Sequence, residues 1–461
     1  MTLLVAAAAC TPATAQQAWV GSSMYFVGHL EEVCGIEYRE GGVVTDPFQS
    51  LANHGATIAR AALHLEPYGN HYTNTRPDPD WGSPARVEET LVRAQNAGLA
   101  SFLTIGYDSY ADTQKNNPYA APPRWRWMAS NEALLADTLY AYTYRQLERL
   151  EGAGVIPRFV AVGNEINWRF MEPNVPESQL SDFDAARKVR LLNSAVSAVR
   201  DFASERSAEI DVVMHIFSAS NITWWVNTHA GLDYDVLGLS FYHGWHSMGS
   251  FRSWASVVNW LEARNLDFML LESAQLWSSG YSDLRVNILN AGENIPAGYP
   301  NPPTTQTQRR YTADVTAEIL EAGGLGTIYW GGDWVGSDCY VYPDEYGRGS
   351  SWEDKAFWDF EGNLHGGVDW MADVAVSVEA SPAPDQERPV LYPQPAAGSA
   401  RLSRLAPEVR RITVWTVDGR RILSLPRSEF LDLGHLAAGL YFVRLERDSG
   451  RTDTLPLIIA Q

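Results

Sequence analysis

The chain has 461 residues, a formal net charge of −20, and 45% hydrophobic and 11% aromatic residues. Its length exceeds one ordinary domain, although a (β/α)8 barrel alone uses about 250 residues or more, so one large domain plus a small one is expected. The apolar content excludes wholesale disorder, and the acidity excludes nucleic acid as a partner, because a polyphosphate demands a basic face.

Residues 1–15, "MTLLVAAAACTPATA", read as a signal peptide with Ala13-Thr14-Ala15 as an A-x-A cleavage site. The basic n-region is missing, and "AAAC" ending at Cys10 is a rival lipobox. No later run of about 20 apolar residues follows, so no transmembrane segment is expected. In an exported chain the remaining cysteines, Cys34 and Cys339, invite a disulfide, with two unpaired thiols as the alternative.

Residues 16–373 alternate short β-rich runs with helical patterns. The runs are "WVGSSMYFVG", "ATIARAAL", "LASFLTIG", "RFVAVGNE", "IDVVMHIF", "YDVLGLSFY", "DFMLLES" and "LGTIYWGG". Helical segments lie at Pro84 to Ala97, Asn131 to Gly152, Asp182 to Ser204, Phe251 to Arg264 and Gln306 to Ala322, several ending in Gly. Eight continuous apolar strands alternating with helices predict an α/β fold, a (β/α)8 TIM barrel. A doubly wound open sheet is the competitor, but no G-x-G-x-x-G follows any strand to mark a dinucleotide crevice. Residues 374–390 are rich in Pro and Ala and read as a linker. Residues 391–461 alternate strands with Asp-Gly and Ser-Gly turns, a small all-β, Ig-like sandwich.

Functional groups of such a barrel sit where strands end. Glu165 closes "FVAVGNE" on the fourth strand and Glu272 closes "FMLLE" on the seventh. A carboxylate after so apolar a run is costly to bury without purpose. Retaining glycoside hydrolysis uses two carboxyl groups about 5–5.5 Å apart, and strands four and seven face each other across the cup. Glu165 is therefore expected as acid/base, Glu272 as nucleophile, and Asn164 as a hydrogen-bonding partner of the sugar 2-hydroxyl. A salt-bridged strand end is the plainer reading of either glutamate alone. Seventeen Trp suggest a groove where flat rings meet a ligand. His243 and His246 lack an acidic partner at ligand spacing, so no metal is expected there, and no G-x-S-x-G marks a serine hydrolase.

With "CGIEYREGG", "GATIARAAL", "GYDSYAD", "VGNEIN", "LGLSFYHGWH", "LLES" and "IYWGGDW", the stretch from Tyr25 to Trp334 resembles glycoside hydrolase family 53, the endo-β-1,4-galactanases. The resemblance implies that Arg60 and Tyr242 hold the nucleophile, that Trp330 is the sugar platform, and that Trp245, His246 and Trp334 line the groove. It departs from the family pattern at Gly106, where that pattern has His, at Ala62 (Arg), at Gly331 (Glu) and in "WRFMEP". Hydrolysis is thus expected with the glycan in question: galactan first, then mannan, xylan or an arabinogalactan side chain, with a catalytically silent carbohydrate-binding barrel as the non-enzyme alternative.

No cofactor is expected, although the resemblance raises calcium in the loop 277–308, where Asp283, Asn287 and Asn290 carry oxygen ligands. The tail, with "LYPQPA", "VWTVDGRRI" and "LDLGHLAAGLYFVRL", resembles the type A sorting domain of the type IX secretion system, against an ordinary accessory β-sandwich. That resemblance implies a secretion machinery partner and a secreted or cell-surface location. Beyond a polysaccharide and that machinery no partner is expected, and the chain reads as a monomer.

Overall fold

The computed structural model describes residues 17–65, 81–107, 119–173, 175, 178, 180–289, 294–339, 349–374, and 390–459 apart from 393–395, 397, 404–408, 417–420, 429, 435 and 448–451. The expected signal peptide, Cys10, Asn290 and nearly all of the linker lie outside these. The chain divides into two compact units, Met1–Val376 and Ser377–Gln461.

In the first unit eight parallel strands close a barrel: β1 Trp19–Ser23, β2 Ile58–Leu63, β3 Ala100–Ile105, β4 Phe159–Val162, β5 Asp211–Phe217, β6 Val236–Ser240, β7 Asp267–Ser273 and β8 Gly326–Tyr329. β1 pairs with both β2 and β8, which seals the ring. The helices between them begin on side-chain caps. Ser83, Asn131, Asp184 and Ser253 each accept the backbone N–H three residues on. Helices predicted from Asn131, Asp182 and Phe251 therefore start at Glu132, Ala185 and Trp254, because an extended cap stands outside the helix it satisfies.

Period-two alternation sorts each strand. Ile58, Phe102, Phe159, Val213, Val236 and Met269 point inward and plug the barrel. Leu63, Leu103, Val160, Val212 and Leu237 point outward to the helices. One step further along, the inward positions turn polar: Arg60, Thr104, His215 and Ser240 are all fully buried. Burying such a ring costs free energy unless every group finds a partner, so this layer is where chemistry is expected.

Strict alternation would send Glu272 outward, since Met269 and Leu271 belong to the inner plug. A register shift rescues it. β6 residues Leu239 and Ser240 pair with Leu270 and Glu272, so Leu271 is bulged out of the ladder and Glu272 swings inward. Gly238 makes room, because a Cβ there would lie 2.8 Å from Leu271 Cδ2.

In the second unit a three-stranded antiparallel sheet (Val390–Tyr392, Ser399–Ser403, Phe430–Asp432) and a four-stranded one (Val409–Thr416, Arg421–Pro426, Gly439–Arg447, Thr452–Ile459) bury a common core. Ala400, Leu402 and Leu431 of the first meet Ile412, Val414 and Leu445 of the second. Each sheet thereby covers the other's apolar face.

Cys34, after β1, and Cys339, after β8, form a disulfide with Cα atoms 5.4 Å apart, closing a loop of sequence separation 305. Replacing both by Ser is expected to lower the unfolding free energy by about 2–4 kcal/mol. Denaturant titration checks this: the variant and the reduced wild type should share one lowered midpoint, and an unchanged midpoint would assign the bond no role in stability.

Candidate active site

β4 ends at Val162, and the next three residues make a sharp turn. Gly163 has φ +94°, and Glu165 has φ +49°, a left-handed conformation rare for a residue with a Cβ. The turn persists because its exit is held from several sides. Ile166 N–H donates to His215 O at 2.8 Å. The Asn167 amide pairs with both backbone groups of Phe217 at 2.9 Å. Trp225 Nε1 and Lys188 Nζ donate to Ile166 O at 3.1 and 2.5 Å, and Lys188 Nζ reaches Trp168 O at 2.6 Å. Burial lowers the Lys188 pKa to about 7.

Arg60 organises the polar layer. Its Nη1 donates to Glu272 Oε1 at 2.6 Å, its Nη2 to Asn164 Oδ1 at 3.0 Å, and its Nε to Thr104 Oγ1 at 2.9 Å. Tyr242 OH donates to the other Glu272 oxygen at 3.1 Å. A carboxylate oxygen of Glu165, one of Glu272 and a ring nitrogen of His215 all lie within 4.8 Å of one another. The two acids are not equivalent, because Glu272 is ion-paired to Arg60 at contact distance. Burial first, and then the nearby Glu272 charge, raise the Glu165 pKa to about 7, only partly opposed by Ser240 and Arg60.

The expected sugar-facing residues fall in different places. Trp245 is 53% exposed, and its ring stands against Tyr242 and Trp352. Trp330 is half-buried, edge-on to Trp352 at 4.7 Å, and its carbonyl accepts from Trp352 Nε1 at 3.1 Å. His246 Nδ1 accepts the Tyr242 N–H at 3.2 Å, so it braces the turn that carries Tyr242. Trp334 departs from expectation: it is 2% exposed, packed on Phe26 at 4.5 Å and edge-on to Trp330. It stands behind Trp330, away from solvent.

Sequence reasoning missed Trp352, His215, Ser240 and Thr104. The last three could have been found by counting inward positions along their strands. Trp352 could not, since it arrives from a loop far downstream. It occupies the space beside Gly331 (φ +70°), where a Cβ would lie 2.6 Å from Trp352 Cδ1.

In the loop 277–308 the Asp283 carboxylate accepts N–H groups from Arg285, Ser337 and Ser350 at 2.8, 3.3 and 2.6 Å. Asn287 Nδ2 donates to Gly280 O at 3.1 Å. These bonds tie the loop to the segments around Ser337 and Ser350. Among the described residues, the clusters close enough to share an ion are the central Glu165–His215–Glu272 group and His29 with the bonded Cys34 and Cys339.

Replacing Arg60 by Met leaves Glu272 buried without its cation, which should cost about 3–5 kcal/mol at pH 7. Urea unfolding at pH 7 tests the claim, and a loss well below that range would assign the ion pair no such role.

Residues 19–371 match glycosyl hydrolase family 53. The chain is 31% identical over 352 residues to an arabinogalactan endo-β-1,4-galactanase of Cellvibrio japonicus, covering 74% of this chain and 86% of that one. It is 26% identical over 366 residues to an endo-β-1,4-galactanase of Bacillus subtilis, covering 71% and 79%. The Ignisphaera aggregans GH53 catalytic domain shares the fold, with TM-score 0.62 and 24% identity over 81% of this chain and 99% of that one. A carboxylate pair held in a buried cationic layer at the mouth of a closed barrel, and a family match that spans the whole barrel, agree: the chain belongs to glycosyl hydrolase family 53 and is a glycoside hydrolase.

Proposed function

We propose that this chain is a retaining endo-β-1,4-galactanase in which Glu272 is the nucleophile and Glu165 the acid/base. The observation that carries this reading is the pair of carboxylate oxygens within 4.8 Å, too close for an intervening water to attack the opposite face as inversion requires. The Glu272 carboxylate attacks the anomeric carbon while the Glu165 carboxyl gives its proton to the departing glycosidic oxygen. A glycosyl ester on Glu272 results. Water, losing its proton to the Glu165 carboxylate, then displaces Glu272 and restores both groups.

Each partner has a role in that cycle. Arg60 and the Tyr242 hydroxyl hold both oxygens of Glu272 and fix its orientation for attack. Asn164 turns its oxygen to Arg60, which keeps its amide N–H groups for a sugar hydroxyl. Trp330 and Trp245 supply apolar faces for sugar rings. Trp168 and Trp224, exposed at 42% and 37% with ring centroids 5.0 Å apart, extend that surface along the loop leaving Glu165. Such an open, aromatic rim suits a polymer cut internally. Galactan is favoured by the named relatives, while Gly331 and the Trp352 ring beside it favour a groove wall of its own shape, with mannan or xylan as the second reading. The leader-like residues 1–15 and the sorting-domain resemblance of residues 391–461 support export to the cell surface or beyond.

Reducing-end release from pectic β-1,4-galactan should fall about 10^3-fold or more in Glu272→Gln and in Glu165→Gln. NMR of the first products should show the β-anomer; the α-anomer would rule out double displacement, and turnover confined to mannan or xylan would move the substrate assignment. Glu165 must be protonated to act as the acid, so wild-type kcat/KM should decline as pH rises through about 7. Glu165→Gln should lack that limb.

Exposed tryptophans serve long chains more than the bond being cut. Trp168→Ala should therefore raise KM on polymeric galactan several-fold while leaving kcat near wild type. Equal losses in both constants would place Trp168 in the machinery itself.

A further inference from the structure

Three consecutive carbonyls, those of Ile166, Asn167 and Trp168, converge on one atom, Lys188 Nζ, at 2.5, 3.4 and 2.6 Å. Lys188 stands near the start of the helix Ala185–Arg206 and is 2% exposed. Among the described residues no carboxylate lies within ion-pair distance of its ammonium, and the rings of Phe183 and Trp225 stand 6.0 and 5.7 Å away. An ammonium has three N–H groups and no acceptor, so it matches three carbonyls as no hydroxyl or amide side chain does. Burying a cation without a counter-ion costs free energy, and the compensation here lies in the turn that follows Glu165.

Glu165 sits directly upstream of those carbonyls, with φ +49°. Its own carbonyl accepts the Asn167 N–H at 2.9 Å, and the Ile166 N–H donates to His215 O at 2.8 Å. Trp225 Nε1 is a second donor to Ile166 O, at 3.1 Å. A positive φ is disfavoured for a residue with a Cβ, so a freed turn relaxes by returning Glu165 to negative φ. That rotation swings its side chain away from Glu272.

We propose that Lys188, assisted by Trp225, is a positioning residue for catalysis: its ammonium holds the turn that aims the Glu165 carboxyl at the glycosidic oxygen. The inference rests on Glu165 being the acid/base. It adds where the aim of that acid is set, on a helix outside the barrel wall and one step removed from the polar layer. The action is geometric, since the charges that act on Glu165 are those of Glu272 and Arg60.

Aim and folding separate through the leaving group. Protonation by Glu165 is needed to expel a poor leaving group and hardly at all to expel a good one. Wild type, Lys188→Met, Trp225→Phe and Glu165→Gln are compared by kcat/KM, which reports the first bond cleavage, on phenyl and dinitrophenyl β-1,4-galactobiosides. The assays run at about pH 6, where Glu165 and Lys188 hold their protons. Glu165→Gln sets the pattern, a loss far larger on the phenyl glycoside than on the dinitrophenyl one. Lys188→Met, which keeps the length and removes the donors, should lose about 10- to 100-fold on the phenyl glycoside and less than about 3-fold on the other. Trp225→Phe, which keeps an aromatic ring, should show the same imbalance at about 3- to 10-fold, and it decides alone if Lys188→Met does not fold. Equal losses on both substrates, or none, would overturn the proposal and leave Lys188 a structural cation. If Glu165→Gln shows no imbalance, or the wild type cleaves neither substrate, the functional reading fails and this inference falls with it.

Discussion

The contact on which the active layer depends is Arg60 Nη1 to Glu272 Oε1, a buried ion pair at 2.6 Å above an apolar plug. Ion pairs of this kind contribute little to stability, because desolvation of both charges offsets their attraction. Its presence in the barrel interior therefore calls for a reason other than folding. That reason is the inequality it creates: one glutamate has a cation in contact, while its neighbour feels mostly burial and a like charge. Two carboxylates of identical chemistry are made electrostatically unequal through position alone, as the proposed division into nucleophile and acid requires.

Much of this was readable in the sequence. Eight apolar runs separated by capped helices specify a parallel barrel, and Glu165 and Glu272 stand out because nothing else so polar follows such runs. Asn164 was expected from its place beside the acid and Arg60 and Tyr242 from a family likeness, and the three meet in one network. What escaped detection has physical causes. Trp334 looks like a groove residue from its place after β8, but whether a ring faces ligand or lies behind another ring is decided by packing, here against Phe26. His215 sits mid-strand among aliphatic residues and is visible only once inward positions are counted in register. Glu272 was found despite that count, since alternation alone aims it at the helices and only the bulge at Leu271 turns it back.

The walls of the cup are built differently from its floor. Gly331 and Trp352 fit each other as a hole and its filling, and Trp352 in turn supports Trp330, Tyr242 and Trp245. Residues from the loops after β6 and β8 thereby share one buried ring. The wall is held by ring packing around Trp352, whereas the Arg60 layer below is held by directional hydrogen bonds.

The bond between Cys34 and Cys339 has a topological meaning as well. It joins the loop after the first barrel strand to the loop after the last, so seven of the eight strands lie on a covalent circle. A chain nicked in any loop between those positions remains a single molecule, and the severed ends stay tethered on both sides of the cup for as long as the sulfurs remain oxidised.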